Sequence, residues 1–282
     1  GLLSIGHFAF KGCTGLEEMV LPDSVQTLGY ESFANCTNLA SVNYPLGIAN
    51  SPHRYASSSN YYGRVFIGCT KLKKIEIPEG ITFIPAHMFR DCNYLEEIVL
   101  PESLESIGAY AFRDCTALKS IEIKNGVTAI GEQAFYNCRG LKSVTFSENL
   151  TSLGNNAFEN CTGLTEISLP GSLTSISNYA FRGCTGLRKL TVNEGTQQIT
   201  EYAFENCSGL VEVTLPESLT VIGHYAFKGN SSLEEVVLPA SITSIPQGAF
   251  RYCTALKTIN FPETLTEIGN YSFQGCTSLE SV

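Results

Sequence analysis

The chain lacks any apolar run close to the roughly 20 residues that a membrane-spanning helix needs, and no charged-then-apolar signal segment begins it. Neither feature is therefore predicted within these 282 residues. Basic residues are also scarce: 18 Lys and Arg stand against 27 Asp and Glu, and the formal net charge is −9. Because proteins that bind nucleic acid usually present a broad basic face, we do not expect a nucleic-acid partner.

Motifs for common catalytic or metal chemistry are missing as well. The sequence contains no C-x-x-C pair, no H-E-x-x-H motif and no G-x-S-x-G turn. Its four histidines are scattered, and none has a partner at a fixed spacing that would suggest a metal site. We therefore predict no enzymatic activity, no cofactor and no metal ion for this chain.

What the sequence does contain is a strict repeat. Phenylalanine recurs every 23 residues, three residues before a cysteine or before Asn230, which takes the place of one. The twelve positions are Phe10, Phe33, Phe66, Phe89, Phe112, Phe135, Phe158, Phe181, Phe204, Phe227, Phe250 and Phe273. The interval lengthens once, between Phe33 and Phe66, where ten residues have been added. Such a period predicts one solenoid domain over residues 1–282, in which units bury their apolar faces against one another.

The first half of each unit predicts a short strand. In the unit that begins at Phe112, Leu118 lies three residues after the cysteine. Ile121 and Ile123 follow with the period of two expected of a strand with one buried face. In most units a proline comes next, and it ends the strand because proline has no N–H to donate to a ladder.

The second half of each unit predicts a return segment. Ile130, Ala134 and Phe135 have the spacing of one helical face, which predicts a short helical or 3-10 return. Gly131 lies where we expect a tight turn or a close approach between backbones.

The eleven cysteines allow three interpretations: disulfide bonds, metal ligands or a buried column of small side chains. Disulfides need Cβ atoms about 3.8 Å apart, whereas equivalent positions in stacked strands lie about 4.8 Å apart. The amide of Asn230 can donate a hydrogen bond as a thiol does, but it cannot form a disulfide and is a poor zinc ligand. We therefore predict free, buried and unreactive thiols.

Charged side chains occupy outward positions at the start of several predicted strands. In a parallel stack, Lys73 and Lys74 should lie beside Glu96 and Glu97 of the next unit. The arrangement fits a solvated cross-strand charge ladder, and it also fits a strip that binds a partner. Both interpretations stay open.

Tyrosine recurs two residues before the repeated phenylalanine in five units: Tyr110, Tyr179, Tyr202, Tyr225 and Tyr271. Three of these units are consecutive, so their rings should stack on one flank. Exposed tyrosines would make a contact surface, but their spacing from the buried isoleucine favours half-buried packing, which we expect.

The ten added residues fall within residues 45–65, a segment of distinct composition. No Asp or Glu occurs from Ser32 to Ile75. Inserts in repeat proteins form loops on one face, often the binding face, and Tyr and Arg are enriched at binding hot spots. The candidate partner-binding residues are therefore His53, Arg54, Tyr55, Tyr61, Tyr62 and Arg64, beside the charged strip. The alternative is a loop without a binding role.

The pattern C-x-x-L-x-x-[IV]-x-[LI]-P-x-x-[LI]-x-x-I-G-x-x-A-F-x-x-C resembles the BspA-type, or treponemal, leucine-rich repeat over the whole chain. The resemblance implies an α/β solenoid: a right-handed superhelix of about twelve 23-residue coils with a concave parallel β-sheet and short helical or 3-10 returns. It also implies similarity to surface-exposed or secreted proteins of host-associated bacteria, several of which are adhesins for host matrix proteins.

From the resemblance we expect a non-catalytic scaffold, extracellular or at the bacterial cell surface. Its partner would be a protein, such as a component of the host extracellular matrix, or a glycan. The second hypothesis is a structural spacer that presents another domain. Because Gly1 begins inside a return and Val282 ends inside a strand, without the polar caps that solenoids need, we expect a fragment of a longer protein.

Overall fold

Two short strands recur in each turn of the chain. The computed structural model describes residues 1–48 and 63–282, which contain eleven first strands and eleven second strands. The first strands are β2 (Glu18–Met19), β4 (Ser41–Val42), β5 (Lys74–Glu76), β7 (Glu97–Val99), β9 (Ser120–Glu122), β11 (Ser143–Thr145), β13 (Glu166–Leu169), β15 (Lys189–Val192), β17 (Glu212–Thr214), β19 (Glu235–Val236) and β21 (Thr258–Ile259). The second strands are β1 (Ser4–Ile5), β3 (Thr27–Leu28), β6 (Phe83–Ile84), β8 (Ser106–Ile107), β10 (Ala129–Ile130), β12 (Ser152–Leu153), β14 (Ser175–Ile176), β16 (Gln198–Ile199), β18 (Val221–Ile222), β20 (Ser244–Ile245) and β22 (Glu267–Ile268).

Helix is nearly absent from the described residues. One 3-10 helix, Leu46–Ile48, occurs there, just before the added residues. No helix in residues 1–48 and 63–282 has the length and apolar character needed to cross a membrane.

The strands pair in parallel and join each turn to the next. The partners are equivalent repeat positions: Ile121 pairs with Val144, and Leu190 pairs with Val213. Within a first strand the side chains alternate, so that Ile121 is buried while Ser120 and Glu122 face solvent. The structure thus forms about 11 turns of a parallel-strand solenoid, which confirms the predicted fold and comes close to the expected number of coils.

The returns differ from the short helices that the spacing predicts. Alternate N–H groups close tight turns, as where Cys115 N donates to Phe112 O at 3.1 Å. The N–H groups between them leave the turn and donate to the next coil, as Phe112 N does to Ala134 O at 2.8 Å. Each return is therefore a chain of turns that is hydrogen-bonded to its neighbour.

Left-handed backbone conformations explain why no helix forms in the returns. Within one return, φ is +60° at Tyr110 and +61° at Asp114. A right-handed helix cannot continue through such residues. The predicted close approach is confirmed, since a Cβ on Gly131 would lie 2.5 Å from Ala109 N of the preceding coil.

The repeated phenylalanines form one continuous stack through the core. From Phe10 to Phe273 each ring faces the next, with centroids 4.9 to 5.7 Å apart. The stack continues across the added residues, because Phe33 and Phe66 lie 5.6 Å apart and Phe33 N donates to Val65 O at 3.0 Å. The insertion therefore leaves the core register intact.

Replacing Phe135 with alanine is expected to lower the free energy of unfolding by about 3–5 kcal/mol, because it leaves a cavity between two fixed rings. Phe135 is fully buried and stacks on Phe112 and Phe158. Urea denaturation followed by circular dichroism measures the change. Tyr94→Ala is the matched control, since this exposed aromatic should change stability by no more than about 0.5 kcal/mol. Equal stabilities for Phe135→Ala and the native chain would contradict a stacked core.

The cysteines form a second column beside the phenylalanines, and all eleven are free thiols. Each buried thiol donates to a phenylalanine carbonyl of the preceding coil, as Cys115 Sγ does to Phe89 O at 3.1 Å. Asn230 makes the equivalent bond, from Nδ2 to Phe204 O at 3.1 Å. The predicted buried column is confirmed for nine of the eleven cysteines, whereas Cys13 is exposed and Cys276 is half-buried. Among the described residues, no group of three or more His, Cys, Asp or Glu side chains could hold a metal ion.

Thiol reactivity should follow this burial. Burial raises the pKa of Cys92, Cys115 and Cys138 well above the usual range, and a buried thiol reacts slowly because the thiolate is the nucleophile. A thiol-disulfide reagent should label about one thiol quickly in the native protein, the exposed Cys13. All eleven should react in denaturant. Rapid native labelling of several thiols would contradict the column.

Candidate interaction surfaces

The structure describes one of the six nominated insertion residues. His53, Arg54, Tyr55, Tyr61 and Tyr62 lie outside the described residues. Arg64 lies on the flank formed by the returns, with φ +63°. Its guanidinium group is 3.6 Å from the Glu31 carboxylate and 5.9 Å from the centroid of Tyr30.

The charged strip lies elsewhere, on the face formed by the first strands. Lys74 Nζ is 2.6 Å from Glu97 Oε1, and Glu96 accepts a hydrogen bond from Lys119 of the following coil. Lys73 makes no ion pair within residues 1–48 and 63–282, although its charge helps to lower the pKa of Glu96. The nominated residues that the structure describes thus divide between two surfaces: Arg64 lies on the flank, and Lys73, Lys74, Glu96 and Glu97 lie on the strand face.

The strip is part of a ladder that recurs along the solenoid. Lys189 pairs with Glu212 and Lys257 with Glu234, both at 2.7 Å and between adjacent coils. The cross-strand charge ladder that the sequence suggests is therefore present. Since these pairs are exposed, water screens the attraction and each contributes little to stability. The partner-binding interpretation of the same strip stays a prediction.

Exposed valines on this face are a feature that the sequence reasoning missed. Val20 and Val237 are 84% and 62% exposed, and Val99 is also exposed. Each is the seventh residue after the repeat cysteine or Asn230, an outward position between two residues that face the core. The same period-two pattern that identified the core could have identified them.

A cavity of about 510 Å³ opens on the strand face between β4 and β5. Val20, Leu46, Lys74 and Glu76 contribute to its lining. Leu46 is exposed and begins the 3-10 helix that precedes the added residues. We call these four residues and the cavity between them the insertion-side cavity. It brings exposed apolar groups beside one end of the charged strip.

The predicted half-buried tyrosine packing is confirmed for four of the five residues, whereas Tyr271 is 57% exposed. Tyr179 stacks on Tyr202 at 4.9 Å, and Tyr202 on Tyr225 at 5.1 Å. Because the ring faces cover one another, this flank presents ring edges and hydroxyl groups to solvent. It is therefore poorly suited to stacking a flat ligand on an aromatic face.

The buried carboxylate of Glu205 pairs with two cations that contact the tyrosine flank. Glu205 lies between Arg182 Nε at 2.9 Å and Lys228 Nζ at 2.8 Å. The same two cations lie over the rings of Tyr179 and Tyr225. Charges of opposite sign thus alternate from coil to coil, and the cations also contact the aromatic rings.

The repeat was compared with models of known protein families. The model of the BspA type leucine rich repeat region matches residues 1–62, 60–188 and 151–280, in six copies. The chain belongs to the BspA-type leucine-rich repeat family. Proteins of this kind are typically non-enzymatic repeat scaffolds suited to protein binding. No curated protein matches the chain in a sequence comparison.

Solved structures of bacterial leucine-rich repeat proteins share this fold. A leucine-rich repeat protein of Bacteroides ovatus is 31% identical, with 98% of this chain and 81% of that one covered and a TM-score of 0.66. A leucine rich cell surface protein of Faecalibacterium prausnitzii is 24% identical, with 99% and 82% covered and a TM-score of 0.54. The T. pallidum leucine rich repeat protein is 23% identical, with 83% and 86% covered and a TM-score of 0.53.

One histidine of this BspA-type solenoid occupies the position that tyrosine holds in later coils. The ring of His87 stacks on Tyr110 at 4.6 Å, and its Nδ1 is buried without a hydrogen-bond partner among the described residues. Burial, reinforced by the positive charges of Arg64, Arg90 and Arg113, lowers the pKa of His87 to about 4. The neutral ring is therefore the form that the fold favours.

Stability should consequently fall as the pH is lowered from about 6.5 to about 4, because the unfolded chain takes up a proton at His87 that the folded chain does not. His87→Tyr removes this proton uptake, and the φ of +58° at Tyr179 shows that tyrosine tolerates the left-handed backbone at this position. Between pH 7 and pH 4.5 the native chain should lose on the order of 1–3 kcal/mol more than the variant. Urea denaturation at both pH values measures the difference, and identical losses would contradict it.

Proposed function

We propose that this chain is a non-catalytic, adhesin-like scaffold of the bacterial cell surface that recognises host or matrix proteins. The family supports the coarser statement, a repeat scaffold suited to protein binding. The adhesin-like role and the extracellular or cell-surface location are proposed from the likeness of the repeat to surface proteins of this type.

The insertion-side cavity is the observation that carries the binding site. It combines exposed apolar side chains, Val20 and Leu46, with a charged rim that includes Lys74 and Glu76. An apolar centre inside a polar rim is the usual anatomy of a protein interface. The nominated residues of the insertion follow Leu46 in the chain, so we include His53, Arg54, Tyr55, Tyr61 and Tyr62 in the proposed surface on the basis of sequence.

The spacer hypothesis has its own supporting observation, the continuous phenylalanine stack across the insertion. A rigid core of this kind would hold an attached domain at a fixed distance. A spacer does not need an apolar cavity on its strand face, however, and we therefore favour binding.

Val20→Glu combined with Leu46→Glu should weaken capture of an extracellular-matrix protein at least tenfold, because it places charge at the apolar centre of the proposed interface. The measurement is biolayer interferometry of the purified chain against a panel of immobilised matrix proteins and glycans. Deleting residues 51–60, which restores the regular 23-residue interval, tests the insertion in the same assay.

Val237→Glu is the matched control, because Val237 has the same outward position and is also strongly exposed, but lies on a distant coil. It should leave capture unchanged. Capture of no panel protein by the native chain would reject the proposal in favour of the spacer. Equal weakening by Val237→Glu and by the insertion-side variant would reject the cavity as the binding site.

A further inference from the structure

A second groove crosses four coils toward the C-terminal end of the chain. Its polar lining includes Glu201, His224, Gln247, Glu267 and Asn270. Its apolar floor includes Pro246 and the exposed Val221. The cavity has a volume of about 600 Å³, within the range of about 300–1,000 Å³ typical of ligand sites. We call it the C-terminal groove.

The repeat gives this groove a regular geometry. Glu201, His224, Gln247 and Asn270 occupy the same position in four consecutive units, three residues before the repeated phenylalanine. Equivalent positions in adjacent coils lie about 4.8 Å apart, so the column is about 14 Å long. A peptide of four to five residues in extended conformation spans this length, at about 3.3 Å per residue.

The polar side chains of the groove have few partners inside the protein. Those of Glu201, His224, Glu267 and Asn270 make no hydrogen bond or ion pair with any described residue, and Gln247 uses its Nε2 alone, toward the hydroxyl of Tyr225 at 2.6 Å. Two side chains of the same column do have partners in earlier coils. There Glu132 accepts from the hydroxyl of Tyr110 at 3.0 Å, and Asn178 Oδ1 accepts from Glu201 N at 3.1 Å.

The surrounding charge is strongly negative. Residues 191–282 contain ten Glu and three Lys or Arg, a net charge of −7 out of −9 for the whole chain. The three cations are engaged: Lys228 with Glu205, Lys257 with Glu234, and Arg251 with the hydroxyl of Tyr252. The charges left without a partner near the groove are therefore carboxylates, which attract a cationic ligand.

We propose that the C-terminal groove binds an extended, lysine- or arginine-containing segment of a partner protein, an assignment that rests on the protein-binding function proposed above. Basic side chains meet Glu201 and Glu267, and the amides of Gln247 and Asn270 bond to the backbone of the segment. The apolar floor contacts the aliphatic stems of the basic side chains. A neutral sugar would satisfy the amides but would leave both carboxylates without a cation.

A fluorescent peptide tests the proposal: seven residues with two lysines four positions apart and valine or serine between them. Its affinity for the whole chain is measured by fluorescence anisotropy at low and at physiological ionic strength. Glu201→Gln with Glu267→Gln should weaken binding at least tenfold, because the substitution keeps the shape and removes both charges. A counterpart peptide with glutamine in place of lysine should bind at least tenfold more weakly to the native chain.

Glu235→Gln with Glu263→Gln is the control, since both carboxylates are exposed, unpaired and outside the groove and the change in net charge is the same. It should weaken binding by less than threefold. Equal weakening by the two double variants would overturn the proposal, because the attraction would then be general to the acidic surface. Equal affinity for the glutamine peptide, or displacement of the lysine peptide by the neutral sugar maltohexaose, would overturn it too.

The two proposals fail separately. If the native chain binds the lysine peptide through Glu201 and Glu267 but captures no matrix protein, the adhesin-like function is wrong and the groove assignment stands as a peptide site. If the native chain captures a matrix protein but the groove variant binds the lysine peptide as tightly as the native chain does, the groove assignment is wrong.

Discussion

A phenylalanine ring stacked on its counterpart one coil away is the contact on which the rest of this solenoid depends. No single coil encloses its own ring, so each unit is stable through its neighbours. The rings can stack because hydrogen bonds from alternate N–H groups of the returns hold adjacent coils in register, as Phe112 N does with Ala134 O. Apolar burial and backbone pairing thus reinforce each other at every turn.

The same register organises the surface. Once equivalent positions stack, every outward column repeats from coil to coil, and its chemistry depends on which residue each unit supplies. Where adjacent coils supply side chains of opposite charge, ion pairs such as that of Lys74 and Glu97 form. Where they supply tyrosines, the rings stack and form the tyrosine flank. Where a column supplies polar groups without partners, as at Glu201 and Asn270, the surface becomes available to a ligand. The C-terminal groove is therefore a place where several side chains of one column have no partner inside the protein.

The insertion and the C-terminal groove illustrate two routes to function in one scaffold. The insertion departs from the repeat, but Phe33 and Phe66 on either side of it still stack on each other, so the register of the core is kept. In the C-terminal groove the 23-residue repeat is unbroken, and the candidate site arises from the side chains at one repeat position, from Glu201 to Asn270. In both cases the core and the candidate site use different residues, so the surface can vary without disturbing the stack.

The sequence by itself determined the solenoid, the buried phenylalanine and cysteine columns and the pairing of Lys74 with Glu97, because each follows from a strict period and from the alternation of a strand. Asn230 was sufficient to identify the cysteines as hydrogen-bonding core groups. Only the tertiary structure shows the conformation of the returns. Between Ile130 and Phe135, whose spacing suggests a helix, Gln133 adopts a left-handed conformation with φ +51°. The tertiary structure also decided which polar groups stay unpaired, since that depends on the neighbouring coil and not on the unit alone.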